Sequence, residues 1–472
     1  MHNDGYIETF PNGDKTMQGY DRNSHELHEL QEMEEERLHA ELGRCPGPVD
    51  LFTSAVDRRA FIKVGMGGFL SLMFAQWLDP RVAEAQVKAA NGKAKSCILL
   101  WMNGGPSHID TWDPKPGTAT GGSFKALDTR LKGLQIGEHL PALADVADRL
   151  TVVRSMTSKE GNHQRAQYLV HTGYAPNPTV QHPSFGSWVG KEIGDTSADL
   201  PNFVSISGPS IGAGFLGVQH GPFVVQNPAQ PVQNSSYARG IDESRFQTRS
   251  KALSMLEGQF AAETKDAKVG GKQAVYAKAV RMMHSPKMKA FDLTDEPEAV
   301  KTAYGDTNFG RGCLMARRLV ESGVKFVEVV LDGWDTHQDN FGRVAKQCQT
   351  FDSPMAQLIK DLEARNLLDS TLIVWMGEFG RTPKINPNDG RDHYPTSWSA
   401  VLAGGGARKG YVHGTTDAEG TKPVDKIVQV PDFFATVSTL LGMSPEKSYM
   451  TPVGRPISIT DKGNPVSELI AS

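Results

Sequence analysis

Long apolar runs without helical period punctuate the chain. Residues 97–102 (CILLWM), 325–331 (KFVEVVL) and 371–376 (TLIVWM) each run into a glycine-containing loop. Each therefore reads as a buried strand ending in a tight turn. Residues 150–156 (LTVVRSM) and 202–206 read as further strands, and 398–403 leads into Gly404-Gly405-Gly406. Helical patterns lie between them. Residues 163–171 predict a helix with Asn162 as N-cap, and 431–443 (PDFFATVSTLLGM) an amphipathic helix opened by Pro431-Asp432. From 243 to 321 the pattern is mostly helical, with charge on one face and Met, Leu, Ala and Val on the other, which predicts a helical insertion or cap over the sheet. The Gly-, Pro-, Gln- and Asn-rich stretch 208–234 predicts a surface loop.

The chain has 472 residues, 39% of them hydrophobic, enough to bury a large core. Length alone allows two or three domains, but the spread of the strands fits one large α/β domain with insertions better. A net charge of -4 without any lysine or arginine block gives no footprint for nucleic acid. Cys45, Cys97, Cys313 and Cys348 match neither a zinc ribbon nor a dense disulfide framework. At most one disulfide is available once Cys45 is removed with the leader described next, and buried reduced thiols are the default.

Asp57-Arg58-Arg59-Ala60-Phe61-Ile62-Lys63 precedes a mostly apolar stretch, 64–78, and then Ala83-Glu84-Ala85. Charged, apolar and small-x-small is the order of a secretory signal, its apolar part too short and glycine-broken to span a membrane stably, and a surface Arg-Arg before an ordinary amphipathic helix is the alternative. The arginine pair resembles the twin-arginine type, which implies the twin-arginine export machinery as a partner, a periplasmic or extracellular location, and no transmembrane anchor in the mature chain. The signal segment is 58–85. Residues 1–57 form an N-terminal extension with a glutamate-rich helical pattern at 25–42, explained by a cytoplasmic extension or by a start codon assigned too early.

The candidate chemistry lies just past the strands. Asn103-Gly104-Gly105-Pro106-Ser107-His108-Ile109-Asp110 follows the first run, Asp332-Gly333-Trp334-Asp335-Thr336-His337 follows 325–331, and Gly377-Glu378-Phe379-Gly380-Arg381 follows 371–376. Gly390-Arg391-Asp392-His393-Tyr394 comes soon after. Parallel strands gather such loops at one sheet edge, where ligands of open α/β folds bind. Mixed imidazole and carboxylate ligands suit zinc, manganese or iron, whereas carboxylates alone would suit calcium or magnesium. The bland alternative is that Asp and His in glycine-rich loops only brace turns. At the start of the 163–171 helix, Thr157, Ser158 and His163 are candidates for a place where an attacked phosphate or sulfate meets the positive end of the helix dipole.

From about residue 95 to 459 the chain resembles the domain-of-unknown-function 1501 family, a branch of the alkaline phosphatase and sulfatase superfamily. The resemblance rests on Asn-Gly-Gly-Pro-Ser-His-Ile-Asp-Thr-Trp-Asp at 103–113, Gly-Trp-Asp-Thr-His at 333–337, Gly-Glu-Phe-Gly-Arg-Thr-Pro at 377–383 and Gly-Arg-Asp-His-Tyr-Pro at 390–395. It implies an alkaline phosphatase-like three-layer fold over 95–462, a mostly parallel sheet between helices with 243–321 inserted, followed by a tail at 463–472.

By order, the resemblance puts Asn103 at the superfamily's first aspartate ligand, with His108 or Asp110 as substitutes. Asp335 and His337, with Asp332, fall at the second ligand group, Glu378 where an Asp-His pair is usual, and His393 at the late histidine. The expected cofactor is one or two divalent ions, zinc or manganese. There is no Cys-x-Pro-x-Arg string for a formylglycine sulfatase, and His163 takes the nucleophile's place or acts as a base. Arg381 or Arg391 would bind the anionic group, with an internal salt bridge as the alternative for either. The expected function is an exported metal-dependent hydrolase of phosphate or sulfate esters, small or polysaccharide-linked. The alternative is a non-catalytic metal-containing binding or assembly protein of the same fold.

Overall fold

The computed structural model describes residues 92–264 and 267–471. The expected 1–57 extension with its helical pattern at 25–42, Cys45 and the expected 58–85 signal segment lie outside the described residues.

The apolar runs become strands of one nine-stranded sheet. In chain order these are β1 (Ser96–Met102), β2 (Leu150–Thr157), β3 (Phe203–Ile206), β4 (Phe223–Val225), β5 (Phe326–Leu331), β6 (Thr371–Met376), β7 (Trp398–Gly404), β8 (Tyr411–His413) and β9 (Val428–Gln429). Their spatial order is β8-β2-β7-β6-β1-β5-β3-β4, with β9 also paired to β2. Only β7 runs against the others, antiparallel to both β2 and β6. The remaining pairings are parallel.

The lack of alternation in 97–102 has a direct cause. Ile98, Leu100 and Met102 enter the core on one face of the sheet, and Cys97, Leu99 and Trp101 enter the core on the other. A strand covered on both faces has no solvated side to mark with polar residues. Helices α1 (His163–Thr172), α2 (Phe185–Glu192) and α7 (Val430–Leu440) contribute Val170, Phe185, Val189 and Phe433 to the second face. Helices α5 (Asn308–Glu321) and α6 (Asn340–Ala364) contribute Leu314, Leu319, Val344 and Phe351 to the first. The result is a three-layer α/β fold.

Three details differ from the sequence pattern. The stretch 208–234 holds the edge strand β4, paired with β3. The helical region 243–321 divides in two: α5 is largely buried in the layer against β5, whereas α3 (Glu243–Thr264) buries no residue and pairs with α4 (Ala267–His284) through Glu257 and Lys272. The last residues dock on the fold, where Leu469 is buried, Arg408 N donates to Leu469 O and Ala471 N to Gly406 O. Cys97, Cys313 and Cys348 are free and buried. No helix among the described residues is long and apolar enough to cross a membrane.

Candidate metal centre

Because β1, β2, β5 and β6 run the same way, the loops after them share one sheet edge, and β7 begins at that edge beside Met156. The loop after β2 leads to His163, the loop after β5 holds Asp335 and His337, and the segment between β6 and β7 holds Glu378, Arg381 and His393. A two-residue antiparallel pairing of Gly380–Arg381 with His393–Tyr394 sets His393 opposite Arg381. Asn162 caps α1 by accepting from Arg165 N, which fixes the turn on which His163 sits.

Four ligand-type atoms converge there. Asp335 Oδ1 lies 3.1 Å from His337 Nε2, 3.4 Å from His393 Nε2 and 3.5 Å from His163 Nε2. The Nε2 atoms of His337 and His393 are 3.0 Å apart. Ligand atoms of His163, Asp335 and His393 all lie within 4.8 Å of one another.

Each imidazole is held from behind through Nδ1. His163 Nδ1 donates to Glu378 Oε1 at 2.8 Å, His337 Nδ1 to Asp392 Oδ1 at 2.7 Å, and His393 Nδ1 to the Gly161 carbonyl at 2.8 Å. A carboxylate or carbonyl acceptor places the ring proton on Nδ1. All three Nε2 lone pairs therefore point into the cluster. His163 Nε2 is buried without a hydrogen-bond partner, and two proton-free nitrogens 3.0 Å apart repel. A cation between them would answer both observations, so the donor set fits a divalent ion.

Charge is arranged to match. Partial burial works against ionising Asp335, but the Arg381 Nη2 bond at 2.6 Å and nearby positive charge hold its carboxyl at about 2. The Glu378 hydrogen bond raises the basicity of His163 above that of an ordinary imidazole. Burial lowers that of His393, and the Gly161 bond only partly offsets it.

The other sequence candidates have internal partners. Glu378 is fully buried, and both its oxygens accept from Gly104 N, at 3.0 and 3.1 Å. Gly104 has φ of +117°, and a Cβ there would stand 2.4 Å from Asp335 N, so only glycine lets the β1 loop approach this closely. Arg381 is fully buried and donates to the carbonyls of Gly104, Gly105 and Arg391 as well as to Asp335.

Asn103 donates to Asp332 Oδ1 at 2.6 Å and accepts from Gln167 at 2.6 Å, beside the cluster. His108 and Asp110 are not brought into the cluster: His108 Nε2 meets the Gly420 carbonyl at 2.8 Å, and Asp110 is engaged by Arg391 and Asn340. Thr157 ends β2 with its backbone paired to Gln429, and Ser158 N donates to Pro395 O. Asp392 lies within the 390–394 motif, and the structure gives it a role the sequence pattern assigns only to its neighbours: it holds His337 through Nδ1. The Gly104 amide and Gly161 carbonyl carry no side-chain signal at all.

A family model described as "Protein of unknown function (DUF1501)" matches residues 94–470. No curated protein matches the chain. Among solved structures, the chain is similar to the lipoteichoic acid synthase LtaP from Listeria monocytogenes, at 11% identity and a TM-score of 0.35, covering 79% of this chain and 76% of that one. It is also similar to the PsFucS1 sulfatase from Pseudoalteromonas sp., at 14% identity and a TM-score of 0.35, covering 77% and 72%. A third is the C-terminal periplasmic domain of EcEptC from Escherichia coli in complex with Zn, at 12% identity and a TM-score of 0.34, covering 81% and 96%. Likeness of this degree assigns neither activity nor substrate.

Proposed function

We propose that this chain, which belongs to the DUF1501 family, is an exported metal-dependent hydrolase of phosphate or sulfate esters, small or polysaccharide-linked. One observation carries the reading: three imidazole Nε2 atoms and an ionised carboxylate converge at the carboxyl edge of a mostly parallel sheet, on side chains that are partly open to solvent.

Asp335, His337 and His393, with His163 beside them, would hold a zinc or manganese ion. When bound, such an ion polarises an ester oxygen and makes water a nucleophile near neutral pH. The protein's own groups prepare the site. Arg381 keeps Asp335 ionised and aimed, while Glu378, Asp392 and the Gly161 carbonyl set the three ring tautomers.

A non-catalytic metal-containing binding or assembly protein is the second reading, and one observation favours it. Both arginines offered by the sequence for an anionic group, Arg381 and Arg391, are buried and committed to internal acceptors.

Turnover decides between the two. The mature chain loaded with Zn²⁺ or Mn²⁺ is expected to hydrolyse at least one of an aryl phosphate monoester, diester or sulfate ester, slowly but measurably, with loss on chelation and recovery on reloading. No turnover across that panel would favour the binding protein. Export is part of the same proposal: replacing Arg58 and Arg59 together by lysine should hold the full-length chain in the cytoplasm, and unchanged export with normal cleavage near Ala85 would remove the twin-arginine route.

A further inference from the structure

We infer that the centre takes a single divalent ion on four atoms, Nε2 of His163, His337 and His393 and Oδ1 of Asp335, with Glu378 acting as a positioning residue for His163. The inference rests on the metal-dependent reading above but concerns the ligand set and the ion count. It gives His163 a different role from the nucleophile or base expected of its place at a helix start.

A nucleophilic or basic imidazole must turn its free nitrogen toward substrate. His163 Nε2 is instead buried, without a hydrogen-bond partner, and 3.5 Å from Asp335 Oδ1. Ligand atoms about 2.0–2.1 Å from a tetrahedral zinc stand roughly 3.3 Å from one another. Four of the six separations among these atoms, 3.0, 3.1, 3.4 and 3.5 Å, lie near that spacing, and the His163, Asp335 and His393 ligand atoms lie within 4.8 Å of one another, so an ion would draw the set together.

Glu378 has the reach of a ligand but not the freedom. Its oxygens take the Gly104 amide and the His163 Nδ1 proton, so it acts on the ion only through the imidazole it orients.

Among the described residues, no second group of His, Cys, Asp or Glu side chains offers an equivalent set beside the cluster. Asn103 is a neutral amide already bonded to Asp332 and Gln167, and Asp392 is turned to His337 and Asn386. The Arg381 guanidinium, 2.6 Å from Asp335, already supplies a fixed positive charge at that oxygen, which opposes a second dication there.

The test uses the mature chain loaded with Co²⁺ or Zn²⁺ and freed of excess ion, with ions counted by mass spectrometry and the cobalt environment read by visible absorption. One ion per chain is expected, and His163→Ala should lose most of it. Glu378→Gln keeps the shape but offers an amide N–H to Nδ1, which pushes the ring proton onto Nε2. It should weaken the ion's affinity tenfold to a hundredfold and change the cobalt spectrum, while metal-free melting stays close to wild type. If His163→Ala fails to fold, Glu378→Gln carries the test alone. Two ions per chain, or unchanged affinity and spectrum in these variants, would overturn the inference. One ion with the expected variant behaviour but no ester turnover would leave it standing and remove the hydrolase reading; no bound ion would overturn both.

Discussion

Two polar groups lie on the same sheet edge and come from the same sequence motifs, yet they are built on opposite principles. In the first, Asp110 receives Arg391 Nε at 2.8 Å, Arg391 Nη2 at 3.1 Å and Asn340 Nδ2 at 2.8 Å, and Arg391 also donates to the carbonyls of Thr120, Thr382 and Pro383. Both side chains are fully buried, with donors and acceptors matched. In the second, three Nδ1 protons are spent outward, and the inner side is left with three lone pairs and a carboxylate oxygen. The first group is a brace. The second is complete only with a cation. Residue type does not separate them; hydrogen-bond saturation does.

The brace gives the largest expected effect. Arg391→Met would strand Asp110 in the core, and removing one partner of a buried pair costs about 3–5 kcal/mol. Urea unfolding of the metal-free protein measures it. A loss below about 1 kcal/mol would mean that Asp110 does not depend on that partner.

The open cluster should behave in the reverse manner. His337→Ala should leave metal-free stability nearly unchanged but abolish stabilisation by added ion, which for wild type is about 2.7 kcal/mol at a hundredfold excess over Kd. Thermal unfolding with and without Zn²⁺ reads both. An equal zinc shift in wild type and variant would remove His337 from the ligand set.

A smaller change sharpens the comparison at the start of α1. Asn162→Ala deletes the cap on the turn that carries His163 and should cost about 1 kcal/mol, while Asn162→Gly should cost only a few tenths. Chemical denaturation separates these two substitutions, and equal losses would mean that the cap does not hold the turn.

These contrasts also mark how far the sequence could be read. The strands at 97–102 and 371–376 were legible because burial on both faces leaves a nearly unbroken apolar run, and 150–156 because its apolar residues lack a helical period despite Thr151, Arg154 and Ser155. Strand β4 was not, since a three-residue edge strand with two partly buried residues and one buried one, amid Gly, Pro and Asn, leaves no pattern to find. Helices α3 and α5 fall in one helical stretch of the sequence, yet only α5 has a well-defined apolar face and is packed into the core, whereas α3 spreads its few apolar residues around the helix and buries none, a distinction lost when 243–321 is read as one amphipathic region.

At the site, the loops and most of the clustered residues were readable as residue types past strand ends. Their division into brace and cluster was not. Asp110 and His108 looked as capable of holding a metal as His337 and His393. What separates them is an arginine 281 residues away for Asp110, and for His108, whose Nε2 meets the Gly420 carbonyl while its Nδ1 is buried without a partner, its absence from any group of converging ligand atoms among the described residues. Glu378 was visible as a carboxylate past β6, but its two bonds from the Gly104 amide depend on a backbone approach that no side-chain pattern encodes.

Anomalous X-ray diffraction from crystals of the mature chain grown with Zn²⁺ or Mn²⁺ tests the central contrast most directly. The account predicts one strong peak within ligand distance of His163, Asp335, His337 and His393, and none at Asp110 or His108. A peak at Asp110 or His108, or a metal-soaked cluster with no peak, would contradict it.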